Sequence, residues 1–130
     1  MDVLMAASVD HENRILVADD DLMIRKMVAR ILEREGYQVD QAKDGAEAIE
    51  KCSESSYRVI LLDMMMPRLD GMKVIEWLEE HRPHMVGRVL VMTAFTRGAA
   101  EKAEKICSVV YKPFDVQNLV EKVRERAAAV

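Results

Sequence analysis

The chain has 130 residues, half of them hydrophobic, with 19 basic and 23 acidic side chains for a formal net charge of −4. That length suits one domain with a proper core and excludes a second full-sized one, and the charge argues against a chain built mainly to coat nucleic acid. No apolar run approaches the roughly 18 residues of a membrane span. The opening MDVLMAASVDHEN lacks the basic and apolar regions of a signal peptide, and Cys52 and Cys107 are too few for a disulfide framework. A soluble, cytoplasmic domain with two ordinary thiols is expected.

In chain order, residues 1–13 are mixed and aperiodic and are expected to form a flexible lead-in to a domain over 14–128. Short aliphatic runs then alternate with helical patterns. The runs are Arg14–Ala18, Tyr57–Leu62, Arg88–Met92 and Ser108–Tyr111, with a weaker one at Tyr37–Gln41. They are apolar on successive residues, as in strands buried on both faces. Ile24, Met27, Val28, Ile31 and Leu32 have helical spacing and are followed by Gly36 as a stop. Asp44 and Glu47 are spaced as a capping box. Asp70 opens a helix carrying Val74, Ile75 and Leu78, and Asp115 one carrying Val116, Leu119, Val120 and Val123. Segment 98–106 has only a thin apolar stripe of Ala99, Ala100 and Ala103. The repeated βα order predicts an α/β fold, a parallel five-stranded sheet with five helices on its two faces.

In such sheets the working groups gather at the carboxyl ends of the strands. Asp19, Asp20 and Asp21 follow the first run, Asp63 the third, Thr93 the fourth, and Lys112-Pro113 the fifth. Clustered carboxylates repel one another, and a divalent cation relieves the repulsion. Oxygen-only ligands point to a hard ion, Mg²⁺ best. With the Lys112 ammonium and the Thr93 hydroxyl, such a set could hold a transferring phosphoryl group, and one carboxylate could be the nucleophile. Asp21 fits a helix N-cap better than a ligand. The Met64–Met66 run reads as adaptable packing, His81-x-x-His84 as a solvated loop around Pro83, and Arg124–Arg126 as an exposed helix face.

These residues resemble the receiver domain of two-component response regulators over about 13–128. The strings that carry the resemblance are Ile15-Leu16-Val17-Ala18-Asp19-Asp20-Asp21 with Arg25, then Leu62-Asp63-Met64-Met65-Met66-Pro67-Arg68-Leu69-Asp70-Gly71, Val91-Met92-Thr93-Ala94 and Tyr111-Lys112-Pro113-Phe114. The resemblance implies a flavodoxin-like, doubly wound sheet of order 2-1-3-4-5. It implies that Asp63 accepts a phosphoryl group from a sensor histidine kinase or histidine phosphotransfer protein. Asp20 and Asp63 would bind Mg²⁺ directly, Asp19 through water, and Met65 through its backbone carbonyl. Thr93 and Lys112 would contact the phosphoryl group. Output would pass by contact to an unknown downstream protein, with no nucleic acid or membrane bound by this chain itself.

The departures from the family pattern carry expectations of their own. The stretch between Thr93 and Lys112 is short, so the fourth helix should be short or displaced. The usual inward-turning aromatic is replaced by Val109, which leaves Tyr111, on the same strand face, as a candidate switch. Met65 and Phe95 flank the acceptor, and both are apolar, so slow self-dephosphorylation is expected. The chain reads as a stand-alone regulator or as a receiver cut from a larger regulator or hybrid kinase. A haloacid-dehalogenase-like phosphatase would need an acid where Met65 stands. A flavin module would need a phosphate loop where three acids stand.

Overall fold

The computed structural model describes residues 13–66, 69–94, 108–112 and 115–128. The lead-in before Asn13, Phe95, Cys107 and the helix expected over 98–106 lie outside the described residues. The elements are β1 (Arg14–Ala18), α1 (Leu22–Arg34), β2 (Gln38–Ala42), α2 (Gly45–Glu54), β3 (Val59–Asp63), α3 (Gly71–His81), a 3-10 helix (Pro83–Arg88), β4 (Val89–Ala94), β5 (Ser108–Lys112) and α4 (Val116–Ala128). All strand pairs are parallel, in the order β2-β1-β3-β4-β5. This is the expected doubly wound architecture. Four α-helices belong to the described residues, none long and apolar enough to cross a membrane.

Successive residues of a strand point to opposite faces, and the core divides accordingly. Leu16, Ala18, Ile60, Leu62 and Val91 face Ala48 and Cys52 of α2 and Val74, Ile75 and Leu78 of α3. Ile15, Val17, Val59, Leu61, Leu90, Met92 and Val110 face Val28 and Leu32 of α1 and Leu119 and Val123 of α4. Covering on both faces explains the unbroken aliphatic runs of β1 and β3. The edge strands β2 and β5 are only half-buried, which is why β2 was the weakest run in the sequence.

Local chemistry sets the helix ends. The Asp21 carboxylate accepts from the N–H groups of Met23 and Ile24, as its N-cap reading required. Asp44 accepts from Glu47 N–H, while Glu47 reaches back to Lys43 N–H, one residue before the cap. Asp70 and Asp115 accept from the N–H groups of Lys73 and Asn118. α1 ends at Gly36, whose φ of 99° suits glycine. Cys52 is fully buried, and burial pushes its thiol pKa up to about 12.

Three sequence readings need correction. The loop expected around Pro83 is a 3-10 helix anchored by buried Met85, and the exposed His81 ring stacks on Trp77 at 4.6 Å. Arg126 does not belong to an exposed face. Its guanidinium donates to Gly87 O at 2.9 Å and to Ser108 Oγ, tying α4 to the 3-10 helix and to the amino end of β5. The methionine run is split by strand-end alternation: Met64 and Met66 are buried, whereas Met65 is 59% exposed.

The turn after β3 depends on close approaches, by Gly45 to the Leu69 backbone and by Gly71 to the end of β3. A Cβ on Gly71 would lie 2.7 Å from Asp63 O and 2.8 Å from Met64 Cα, both backbone atoms. At Gly87 an added Cβ would meet nothing within 4 Å. Urea unfolding should therefore separate the two positions. Gly71→Ala is expected to cost about 1–3 kcal/mol, and Gly87→Ala to be neutral or stabilising by up to about 1 kcal/mol; equal effects would contradict this account of the turn.

Candidate functional site

Strand alternation also decides which polar side chains meet at the carboxyl edge. Asp63 ends β3 with the parity of Val59 and Leu61, and Lys112 ends β5 with that of Val110. Asp19, next after β1, continues the parity of Ile15 and Val17. All three emerge above the α1–α4 side of the core. There the Lys112 ammonium donates to Asp19 Oδ2 at 2.7 Å and to Asp63 Oδ2 at 3.2 Å. Carboxylate oxygens of Asp19, Asp20 and Asp63 lie within 4.8 Å of one another. The sequence-predicted acids and lysine are thus brought together from three strands.

Thr93 and Tyr111 fall on the other parity. They are register partners across β4 and β5, with Thr93 fully buried and Tyr111 half-buried. Asp63 aligns with Met92, one residue before Thr93. Met65 donates its N–H to Asp63 Oδ1 at 3.1 Å. Phe95, the other flanking residue singled out in the sequence, lies outside the described residues.

Asp19 is held on every side. Its N–H donates to Ala42 O at 3.1 Å, and its Oδ1 accepts from Asp21 N–H at 2.9 Å. Its backbone carbonyl accepts from Arg25 Nη1 at 2.9 Å, while Arg25 Nε donates to Gln41 Oε1 at 3.2 Å. Asp20 is exposed, and its carboxylate finds no hydrogen-bond partner among the described residues. Sequence reasoning did not see the tie through Arg25 and Gln41. The signal was present: Arg25 follows Asp21 by one helical turn on the face otherwise given to Val28 and Leu32, so its charge had to serve something local.

The electrostatics are those of crowded carboxylates. Burial raises the Asp63 pKa to about 6; the Met65 N–H opposes this, the Asp19 charge adds to it, and Lys112 opposes it. Burial alone would lower the Lys112 pKa, but the hydrogen bond to Asp19 and the charges of Asp63 and Asp19 raise it. The all-oxygen donor set and the unrelieved repulsion both fit a hard divalent cation.

A family model described as the response regulator receiver domain matches residues 15–124. The transcriptional regulatory protein ResD of Bacillus subtilis is 35% identical over 121 residues, covering 88% of this chain and 48% of ResD. The transcriptional regulatory protein SrrA of Staphylococcus aureus is 32% identical over 112 residues, covering 86% of this chain and 46% of SrrA. The chain spans about half the length of these curated relatives. Among solved structures, the receiver domain of the Francisella response regulator 1452 superposes with a TM-score of 0.79 at 28% identity, covering 90% of this chain and 98% of that one. The response regulator TrrA of Thermotoga maritima, solved in complex with Mg²⁺-BeF, gives a TM-score of 0.78 at 29% identity, covering 88% and 98%. A sequence match that runs from the second residue of β1 into α4 takes in the whole sheet and its acidic edge, and the chain belongs to the response regulator receiver domain family.

Proposed function

We propose that residues 14–128 form a phospho-accepting receiver acting in the cytoplasm, with Asp63 as the acceptor. The observation that carries this reading is the Lys112 ammonium bridging Asp19 and Asp63 beside a third carboxylate. Asp63 attacks the phosphorus of a phosphohistidine on a sensor kinase or phosphotransfer protein. The P–N bond breaks, the imidazole leaves and takes up a proton, and a carboxylic–phosphoric anhydride forms on Asp63.

Asp20 and Asp63 would hold Mg²⁺ directly, Asp19 through water, and Met65 through its carbonyl. The ion, when bound, neutralises charge among carboxylate and phosphoryl oxygens. Lys112 pairs with a phosphoryl oxygen once Asp63 is modified, and Thr93 donates its hydroxyl to another. These contacts exist in one conformation only and so shift the population of the domain. Tyr111, register partner of Thr93 on the edge strand, is the side chain best placed to report that shift. Any catalysis is confined to its own phosphorylation and dephosphorylation, and output passes by protein contact rather than by nucleic acid bound to this chain. The half-length match to transcriptional regulatory proteins favours a second reading, in which the same receiver is one part of a longer regulator.

Intact-mass spectrometry after incubation with acetyl phosphate tests the acceptor. One phosphoryl group should add to the wild type with Mg²⁺, and none to Asp63→Asn or to wild type in chelator. Adduct on the Asn variant would move the acceptor elsewhere.

Neither Met65 nor Phe95 can orient an attacking water by hydrogen bonding, so the anhydride should decay slowly. Followed by the same method, Met65→Asn, whose amide can hold a water, should lose the phosphoryl group severalfold faster. Equal rates would remove Met65 from the timing.

The raised Asp63 pKa gives a stability prediction for the metal-free protein. The folded state holds this proton more tightly than the unfolded chain, whose pKa is the ordinary 3.8, against about 6 when folded. The stability that Asp63 contributes is thus full below pH 4 and lost as pH rises through 6. At neutral pH, Asp63→Asn should be more stable than wild type by about 1–3 kcal/mol, and the difference should close toward pH 4. Chemical unfolding in chelator at several pH values checks it; a less stable variant at neutral pH contradicts it.

A further inference from the structure

We infer that Arg25 is a positioning residue for the cation site, an inference that rests on the Mg²⁺ reading above. The carboxylates of the site are placed in different ways. Asp19 and Asp63 are each held by an N–H and by Lys112. The Asp20 carboxylate has no such partner, so its aim depends on the backbone that carries it. The peptide joining Asp19 to Asp20 leaves β1 at its carboxyl end and must turn into α1. Its carbonyl is the Asp19 oxygen that Arg25 Nη1 holds at 2.9 Å. Arg25 is in turn fixed from two sides. Its own N–H donates to Asp21 O at 2.9 Å, which seats it on the first turn of α1, and its Nε donates to Gln41 Oε1 at 3.2 Å on β2. Gln41 aligns with Val17 in the sheet, and the next residue, Ala42, accepts the Asp19 N–H. The guanidinium fork therefore sets the plane of the Asp19–Asp20 peptide against two secondary-structure elements. An ammonium lacks the planar fork that presents two donors to these two acceptors in fixed directions.

The charge of Arg25 makes the role separable from simple electrostatics. A positive group near a cation site opposes cation binding, so removing it for its charge alone would tighten the binding of Mg²⁺. Removing it as the clamp on the peptide would loosen binding, because Asp20 loses its aim. Groups that orient metal ligands are typically worth ten-fold or more in affinity.

The test is Mg²⁺ binding by titration calorimetry, with Mn²⁺ paramagnetic resonance as a second readout and the unfolding midpoint in chelator measured beside them. Arg25→Met should weaken Mg²⁺ binding about ten-fold. Arg25→Lys, which keeps the charge but loses the fork, should weaken it as well, and Gln41→Leu, which frees one end of the clamp, to a smaller extent. The Lys and Leu variants carry the test should the Met variant fail to fold. Unchanged or tighter binding in the substituted proteins overturns the proposal, and so does a lowered midpoint with unchanged affinity, which would make Arg25 a structural tie only. If the wild type itself binds neither Mg²⁺ nor Mn²⁺, the cation site fails first and this role falls with it.

Discussion

The carboxyl edge of the sheet is organised by one conflict: three aspartates are held where their charges repel, and one lysine bridges two of them. Unit charges about 4 Å apart in a protein environment interact by several kcal/mol, so a cluster of this kind is not maintained for stability. Lys112 reduces the conflict without abolishing it, since Asp63 keeps a pKa near 6 despite the ammonium 3.2 Å away. The rest of the chain supplies the stability that the edge does not. Core residues lie on both faces of β1, β3 and β4, and among the described residues the turns leading out of β1 and β3 are fixed by the Asp21 and Asp70 caps and the Gly71 fit.

On the proposed reading, the same conflict would make the edge responsive. A group bringing negative oxygen atoms to Asp63 and a cation to the acids would replace a repulsive arrangement with an attractive one, and Lys112 would divide its hydrogen bonds differently. Lys112 sits on a strand that, among the described residues, is bonded to β4 alone, one residue from Tyr111, which aligns with Thr93. A change in its partners is therefore applied where the sheet is least constrained. Central β3, buried along its whole length, provides the fixed side of the site.

Much of this was legible in the sequence because strand burial and strand-end chemistry are both local. The runs at Arg14–Ala18 and Tyr57–Leu62 mark β1 and β3 to within two residues, since covering on both faces leaves no polar interruption. Asp21 and Asp70 could be read as caps because a cap needs only its own first turn. The place of Arg25 on the apolar face of α1 was a local signal, but its partner Gln41 was not legible, because the tie joins residues 16 apart on different elements. The contacts of half-buried Arg126 with Gly87 and Ser108 depend on where α4 ends over the sheet. The outward turn of Met65 was hidden inside a run of three identical side chains, and only the parity of β3 separates it from its neighbours.

Placement of the acids follows the same logic of parity and tethering. Asp19 and Asp63 lie on the same side of adjacent strands, and the sheet itself fixes their separation; Asp19 accepts from Asp21 N–H and Asp63 from Met65 N–H, each two residues further on. That repeat of one short-range bond at two strand ends gives both carboxylates one oxygen spent on the backbone and one turned toward Lys112. Asp20 stands outside this pattern, exposed and held only through its backbone. An acid so placed keeps its solvent contact, and its position is only as well defined as the peptide preceding it. The proposed hold of Arg25 on the Asp19 carbonyl would act at that peptide, and so on the aim of the Asp20 carboxylate.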